Sequence, residues 1–170
     1  MFFVLRPLRL LLKALVTEST PRQMSMGLAM GVCVGLVPKG NLLAMFLGFC
    51  LAATRVNLSI AACAAVLCTI LSGGLDGVFD SIGGYVLSQP ALQDFWTSVY
   101  NTPFMPWTDF NNSIVMGSFL SGLVLIWPVH RLSNPLFAKY SQKLAAHARH
   151  WWISRFLLGA EWADRLGSVE

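Results

Sequence analysis

Four long apolar runs, none of which contains Asp, Glu, Lys or Arg, dominate this sequence. They cover residues 24–37, 42–54, 58–72 and 114–129. Charged residues make up 12% of the chain, whereas soluble domains carry about 25%. Much of the charge that normally covers a water-facing surface is therefore missing. The sequence predicts an integral membrane protein of the all-α class.

The first two runs are too short to cross a bilayer separately. Thr20, Pro21 and Gln23 form a helix-start pattern, with Thr20 as the N-cap. A helix of about fourteen residues extends only about 21 Å, against a hydrocarbon core of about 30 Å. Two arrangements fit this length. One is a re-entrant hairpin that turns at residues 38–41, and the other is one long helix broken at Pro38.

Basic residues favour the hairpin. Arg22 precedes the first run and Arg55 follows the second. Lysine and arginine concentrate on the cytoplasmic side of membrane proteins, and a hairpin that enters and leaves through one face puts both arginines there. A single crossing would leave Arg55 on the opposite side. We therefore expect a re-entrant helical hairpin.

A lysine lies in the turn between the two arms. Lys39 and Gly40 stand between Pro38 and Asn41, which is a candidate N-cap for the second arm. The free N–H groups and the dipole of a helix start favour an anion, and Lys39 would add a full positive charge. The turn, together with Arg55, is therefore a candidate site for an anionic group. The alternative is that Lys39 only extends to the far headgroups and to water.

The third run leaves two topologies open. Residues 58–72 are followed by Gly73 and Gly74, and then by an amphipathic stretch at residues 75–87. This region is either one crossing with a weak point at the glycines or a second hairpin that turns there. With the last run, it supplies about two transmembrane helices.

Two carboxylates follow the third run. Asp76 and Asp80 are four residues apart and therefore lie on one helix face. They are candidates for a proton- or cation-coupling pair or for partners of Lys39. The alternative is that both are solvated near the outer interface.

An aromatic loop and the last run complete the membrane region. Residues 88–112 are rich in proline, polar and aromatic residues, which is typical of the membrane interface. The aromatic residues are Phe95, Trp96, Tyr100, Phe104, Trp107 and Phe110. The last run, residues 114–129, closes at Trp127 and Pro128 and returns the chain to its starting side.

Basic amphipathic segments flank the membrane region. Residues 1–19 mix apolar side chains with arginines and a lysine, which suits a helix lying in the interface; a mitochondrial transit peptide is the competing interpretation. Residues 132–170 mix basic residues with tryptophans, which suits a cytoplasmic helix resting on anionic lipid. We therefore divide the chain into an interfacial helix (1–19), a membrane domain (20–131) and a tail (132–170), with both termini cytoplasmic.

Glycines recur at intervals of four in the hairpin. Gly27, Gly31 and Gly35 share one face of the first arm, and Gly48 with Ala52 repeats the spacing on the second. Small residues at this spacing let helices approach closely in a bilayer. We expect these glycines to serve helix packing, and a glycine-lined substrate path is the alternative.

No pattern for catalysis, metal binding or cofactor binding appears in the sequence. The three histidines lie in or beside the basic tail, and the four cysteines lie within apolar runs, where they behave as small hydrophobes. From Val56 to His130 there is no lysine or arginine, so basic charge is confined to the two ends. We expect no enzymatic activity, no cofactor, no metal and no nucleic-acid partner.

The hairpin resembles a known family. Its helix-start proline, glycines four apart, proline–glycine turn and closing basic-x-Asn are similar to the bacterial membrane family called domain of unknown function 2062. The matching residues are Pro21, Gly27, Gly31, Gly35, Pro38, Gly40, Arg55 and Asn57. Residues 116–123 resemble the last membrane helix of that family. Members often carry Asn-Pro in the third segment, where this chain has Ser72, Gly73 and Gly74.

The resemblance implies a bacterial inner-membrane protein connected with envelope lipid or glycan traffic. The expected function is to assist transport or handover of an anionic lipid or a lipid-linked envelope substrate. The alternative is a non-catalytic anchor or scaffold in a larger envelope complex. The expected partners are anionic lipid headgroups and either another envelope membrane protein or further copies of this chain.

Overall fold

The computed structural model describes residues 19–150, including the side chains of residues 19–140. This part of the chain is helical and has no strand, as the sequence predicts. The helices are α1 (Pro21–Leu36), α2 (Leu42–Ala53), α3 (Leu58–Ser72), α4 (Asp76–Leu87), α5 (Gln93–Tyr100) and α6 (Ser113–His150). Three 3₁₀ turns connect them: Gly73–Leu75, Pro90–Leu92 and Met105–Thr108. The predicted interfacial helix of residues 1–19 lies almost entirely outside the described residues, as does the end of the tail.

Local side-chain bonds fix both ends of α1. The Thr20 side chain accepts a hydrogen bond from the Gln23 N–H, and the Gln23 side chain accepts one from the Thr20 N–H, which completes a capping box. At the other end, Val37 has extended dihedral angles, as expected for a residue before proline. Pro38 therefore ends the helix where the sequence predicts.

α1 and α2 form a helical hairpin whose open ends meet. Asn57 ends the loop that follows α2. Its backbone N–H donates a hydrogen bond to the Gln23 carbonyl oxygen at 3.2 Å. Its Nδ2 donates to Ser19 Oγ at 3.1 Å. The chain thus returns to the level at which α1 begins, and the single broken helix is not formed. We call this end of the bundle, which carries Arg22 and Arg55, the arginine end.

α3 and α4 form one helical run of 30 residues from Leu58 to Leu87. The 3₁₀ turn Gly73–Leu75 interrupts the α-helical pattern without reversing the chain, so no second hairpin forms. The turn changes the packing partner, because α3 lies against α1 whereas α4 lies against α6.

α6 passes through two prolines. The sequence predicts that the last run closes at Pro128, but α6 continues through Pro128 and Pro135 to His150. A proline inside a helix removes one backbone hydrogen bond and commonly kinks the helix rather than ending it. The predicted boundary between the membrane domain and the tail, at residue 131, therefore falls inside one helix.

Close contacts set the direction of the three packed segments. Against α3, residues Gly27, Gly31 and Gly35 lie next to Asn57, Ala61 and Ala65, so α1 and α3 run parallel. Against α6, the order is reversed. The pairs are Ser25 with His130, Cys33 with Gly122, and Val37 with Val115. α1 therefore lies between α3 and an antiparallel α6.

Within residues 19–150, two segments are long and apolar enough to cross a bilayer. These are Leu58–Leu87 and Ser113–Tyr140, and only 17% and 28% of their most apolar stretches are buried inside the protein. Many of their large apolar side chains face outward, among them Val66, Leu67, Ile70, Leu71, Val78, Ile82, Val124, Trp127 and Leu132. Burial within this chain therefore leaves most of their apolar surface uncovered.

Candidate functional site

The turn of the hairpin is organised by Lys39. Its Nζ donates hydrogen bonds to the carbonyl oxygens of Val34 and Val37, each at 2.6 Å, with Gly35 O at 3.4 Å. These carbonyls end α1 and have no partner within the helix. A cation is favourable at this end because the helix dipole is negative there. Lys39 is thus a side-chain cap of α1, although the residue itself remains exposed.

Asn41 caps the other helix of the turn, as its position in the sequence predicts. Its Oδ1 accepts a hydrogen bond from the Ala44 N–H at 2.8 Å, and its Nδ2 donates to the Pro38 carbonyl at 3.2 Å. The Asn41 side chain is buried. Gly40 has a φ of 103° and no atom near the position that a Cβ would take. The backbone conformation, rather than a lack of space, therefore calls for glycine at residue 40.

The positive charge of Lys39 lies in a long stretch of the chain that contains no carboxylate. From Ser19 to Leu75 the chain has no Asp or Glu. Within the described residues, Lys39 has backbone carbonyls as its hydrogen-bond partners. Because Lys39 offsets the negative end of α1, the positive end of α2 is left as the stronger helix dipole at the turn. Within residues 19–75, no carboxylate neutralises the charge of Lys39.

The turn lies at one end of the bundle. Val37, Leu43, Ala44 and Val115 form a buried cluster, which places the turn level with the start of α6. α2 also lies against the 3₁₀ turn Met105–Thr108 of the aromatic loop. We call this end, with residues 38–41 and the start of α6, the turn end.

Arg55 does not join Lys39. It is exposed at the arginine end, and the whole of α2 separates it from the turn. A helix of twelve residues extends about 18 Å. The predicted anion-binding set is thus divided. Lys39, Gly40 and Asn41 lie together, whereas Arg55 lies at the opposite end of the hairpin.

The two aspartates are exposed on α4. Asp76 is the first residue of α4 and directly follows the 3₁₀ turn. The Asp80 carboxylate accepts a hydrogen bond from Ser113 Oγ at the start of α6. The carbonyls of α1, and not these carboxylates, accept the described hydrogen bonds of Lys39. The structure therefore does not pair the aspartates with Lys39.

The glycines of the first arm contact α3. A Cβ on Gly27 would lie 2.7 Å from the Asn57 carbonyl oxygen, and one on Gly35 would lie 2.6 Å from Cys68 Cβ. A Cβ on Gly31 would overlap the backbone of Ala61. Gly48 differs, because no heavy atom lies within 4 Å of its Cβ position. Our expectation that Gly48 packs against a helix does not hold within this chain.

A second close crossing was not predicted. Gly83 of α4 and Gly117 of α6 lie so near each other that a Cβ on either would overlap backbone atoms of the other helix. The two glycines are far apart in sequence, and neither belongs to a regular repeat. Close approach in a bilayer depends on such small residues, but their pairing becomes visible only in the fold.

A polar contact joins α1 to α6 at the arginine end. The fully buried Ser25 lies 2.9 Å from His130, measured between Oγ and Nδ1. Ser25 Oγ also donates to the Arg22 carbonyl at 3.1 Å. The sequence assigned His130 to the basic tail, and no spacing pattern links it to Ser25. In the described residues, no three His, Cys, Asp or Glu side chains come together as a metal site.

The aromatic loop folds back on the end of α4. Trp96 Nε1 donates to the Val86 carbonyl at 3.3 Å, and Gln93 Nε2 donates to the Leu87 carbonyl at 2.7 Å. Phe110 lies between Trp96 and Phe119, with ring centroids 6.3 and 5.8 Å away. Thus part of the predicted interfacial belt points inward and connects the loop to the core.

Comparison with known proteins gives one distant relative. A protein of Treponema pallidum (strain Nichols), described as an uncharacterized protein, is 23% identical over 147 residues. The similarity covers 86% of this chain and 91% of that protein. No family model matches the chain. No solved structure matches it.

Proposed function

We propose that the chain is a multi-pass protein of the bacterial inner membrane, of the domain of unknown function 2062 type. Leu58–Leu87 and Ser113–Tyr140 cross the bilayer, and the α1–α2 hairpin enters and leaves through the cytoplasmic face. The low burial of the two long segments supports this arrangement, because the core helices of a soluble protein are mostly buried. Arg22 and Arg55 lie at the same end of the hairpin. This supports the orientation with both arginines on the cytoplasmic side, where basic residues concentrate.

Within that membrane, the proposed function is to bind the anionic headgroup of a lipid or lipid-linked substrate and assist its transport or handover. The observation that carries this proposal is the Lys39 ammonium, fixed by two 2.6 Å hydrogen bonds beside the start of α2. A charged side chain in a membrane segment is costly in free energy. Such residues are therefore commonly functional. Binding requires no catalytic group, and no enzymatic activity is part of the proposal.

Substitution of Lys39 tests the headgroup site. Lys39→Gln keeps an amide donor for the α1 carbonyls but removes the charge, and Lys39→Arg keeps the charge. We expect Lys39→Gln to lower the ratio of phosphatidylglycerol to phosphatidylethanolamine that co-purifies with the protein by about fivefold, which corresponds to about 1 kcal/mol for an exposed ion pair. Mass spectrometry of the extracted lipid gives the ratio. If Lys39→Gln and Lys39→Arg retain the same lipids as the unchanged protein, the proposal is wrong.

A scaffold function is the second candidate, and the outer surface of the aromatic loop favours it. Phe104 and Trp107 are 69% and 71% exposed, and their rings meet edge to face at 6.3 Å. Exposed aromatic side chains of this kind often dominate protein interfaces.

Trp107→Ala tests the scaffold function. At an interface centre this change costs about 2 kcal/mol, or about thirtyfold in affinity, so a partner that co-purifies from membranes should be lost. Tyr85→Ala is the matched control, because Tyr85 is also 71% exposed but lies on α4. Equal recovery of the partner with both variants argues against docking through the loop.

A further inference from the structure

Three arginines from distant parts of the sequence lie at the arginine end. Arg22 is in the first turn of α1, Arg55 is in the loop after α2, and Arg131 is on α6. All three side chains are exposed. Their spacing in the sequence does not relate them, so it is the fold that brings these charges to one end of the bundle.

A backbone hydrogen bond brings Arg55 near Arg22. The Asn57 N–H donates to the Gln23 carbonyl oxygen at 3.2 Å, and Gln23 directly follows Arg22. Arg55 is two residues before Asn57, which corresponds to at most about 7 Å of chain. Arg22 and Arg55 therefore extend from neighbouring points of the backbone.

Ser25 connects Arg22 to the third arginine. Its Oγ donates to the Arg22 carbonyl oxygen at 3.1 Å and lies 2.9 Å from Nδ1 of His130. Because Ser25 is fully buried, this contact is part of the packing of α1 against α6. Arg131 directly follows His130. Since α1 lies between α3 and α6, Arg22 is the central member of the three, which we call the arginine row.

No described carboxylate lies at this end of the bundle. Within residues 19–150, Asp and Glu occur only between residues 76 and 109. Those residues form α4 and the aromatic loop, and α4 lies against the first residues of α6, at the turn end. Guanidinium groups bind phosphate through paired, charge-assisted hydrogen bonds. Three of them in a row favour a ligand with more than one phosphate group.

Apolar side chains border the arginine row. Leu132 directly follows Arg131, and Trp127 lies one turn earlier on α6; both are exposed. Leu58, the residue after Asn57, is also exposed. Hydrocarbon chains would cover this apolar surface and remove it from water, whereas a soluble phosphate compound would leave it uncovered. The surroundings of the row therefore favour a phospholipid.

We propose that Arg22, Arg55 and Arg131 form a binding site for a phospholipid with two phosphate groups, such as cardiolipin. Basic sites between transmembrane helices on the cytoplasmic side bind headgroups of this kind. The site is distinct from the headgroup site proposed at Lys39, because the length of α2 separates the two. Only the assignment of the lipid to the cytoplasmic leaflet rests on the orientation proposed above.

Native mass spectrometry tests the number of phosphate groups that the site binds. The full-length protein in detergent micelles is titrated with cardiolipin and, separately, with phosphatidylglycerol, which has a single phosphate. We expect one cardiolipin to bind with an apparent Kd about tenfold lower than that of phosphatidylglycerol, because the second phosphate adds a second set of charge-assisted hydrogen bonds. Equal dissociation constants for the two lipids overturn the proposal. This comparison needs no substitution, so it does not depend on the folding of a variant.

Removal of single charges locates the bound lipid. Arg55→Gln and Arg131→Gln should each raise the Kd of cardiolipin about fivefold, as expected for the loss of one exposed ion pair. Lys139→Gln is the matched control, because it also removes one positive charge from an exposed position of α6, but about two turns beyond Arg131. An equal effect of Lys139→Gln would show that only the total charge matters and would contradict the site.

Lys39→Gln separates this site from the one at the turn. It should leave the Kd of cardiolipin unchanged. If Lys39→Gln weakens cardiolipin binding and the arginine variants do not, the lipid binds at the turn end and the arginine site is wrong. If the arginine variants weaken binding while Lys39→Gln changes no lipid ratio, the arginine site is supported and the headgroup site at Lys39 is contradicted.

Inorganic pyrophosphate tests whether the lipid chains contribute to binding. It has two phosphate groups and no hydrocarbon. We expect cardiolipin to stay bound when pyrophosphate is added at an equal concentration, because pyrophosphate covers none of the apolar surface beside the row. Displacement of cardiolipin at that concentration would identify a soluble phosphate compound as the ligand and would overturn the assignment to a phospholipid.

Discussion

Gly31→Ala is expected to lower the free energy of unfolding by about 2 kcal/mol, within the range of overpacked core positions. The added methyl group would lie 2.8 Å from Ala61 Cα and would overlap the Ala61 carbonyl oxygen. Both atoms belong to the α3 backbone, so no side chain can rotate away. α1 and α3 must therefore separate, and the loss exceeds the gain in helix propensity when glycine becomes alanine. Denaturant titration in mixed micelles, followed by far-UV circular dichroism, measures the change.

Gly48→Ala is the matched control for that prediction. It makes the same chemical change in the other arm of the hairpin, where no atom lies within 4 Å of the new methyl group. Its unfolding should be unchanged or slightly shifted to higher denaturant concentration, because alanine is the better helix former. If both variants unfold like the original protein, α1 and α3 do not make the close contact described above.

Local patterns in the sequence predicted the starts of α1 and α2, although not the end of α6. Thr20 and Asn41 act as the predicted N-caps, because each side chain accepts a hydrogen bond from the backbone N–H three residues ahead. Such hydrogen bonds join residues that are close in sequence, so a short motif is enough to predict where a helix begins. The all-α class followed in the same way from composition.

The arrangement of distant residues was not predictable. The hydrogen bonds of the Lys39 ammonium to the carbonyl oxygens of Val34 and Val37 were not predicted. Ser25 and His130 are 105 residues apart, and no repeat relates them. Gly48 has the same four-residue spacing as Gly31 and yet faces open space. Spacing identifies the face of a helix, but it does not reveal whether another helix covers that face.

The depth of Lys39 leads to a prediction with an all-or-none result. The turn shares a buried cluster with Val115, and α2 lies against Met105–Thr108. Lys39 is therefore level with the aromatic loop and a whole helix away from Arg55. In the proposed orientation, the turn faces the periplasm although both ends of the hairpin are cytoplasmic. The sixteen residues of α1 extend about 24 Å, which is less than the hydrocarbon core of about 30 Å. The Lys39 side chain then covers the remaining distance, so that its aliphatic part stays in apolar surroundings while its charge meets the outer headgroups.

Cysteine labelling measures this depth. In a variant without Cys33, Cys50, Cys63 and Cys68, single cysteines are introduced as Lys39→Cys and Arg55→Cys, with Phe104→Cys as the matched marker of the loop. A membrane-impermeant maleimide added to spheroplasts should label positions 39 and 104 almost completely. Position 55 should react only after the membrane is permeabilised, because the joined ends of the hairpin lie on the other side.

Two other arrangements of the hairpin would give different labelling patterns. Reaction of position 55 from outside would show that the hairpin does not return to the cytoplasmic face. If position 104 reacts and position 39 stays protected in both preparations, Lys39 is buried at membrane depth, and the turn is not level with the loop. A headgroup at Lys39 would then have to enter the protein, whereas a periplasmic turn binds it directly at the membrane surface. The depth of this one residue thus decides how an anionic lipid reaches the site.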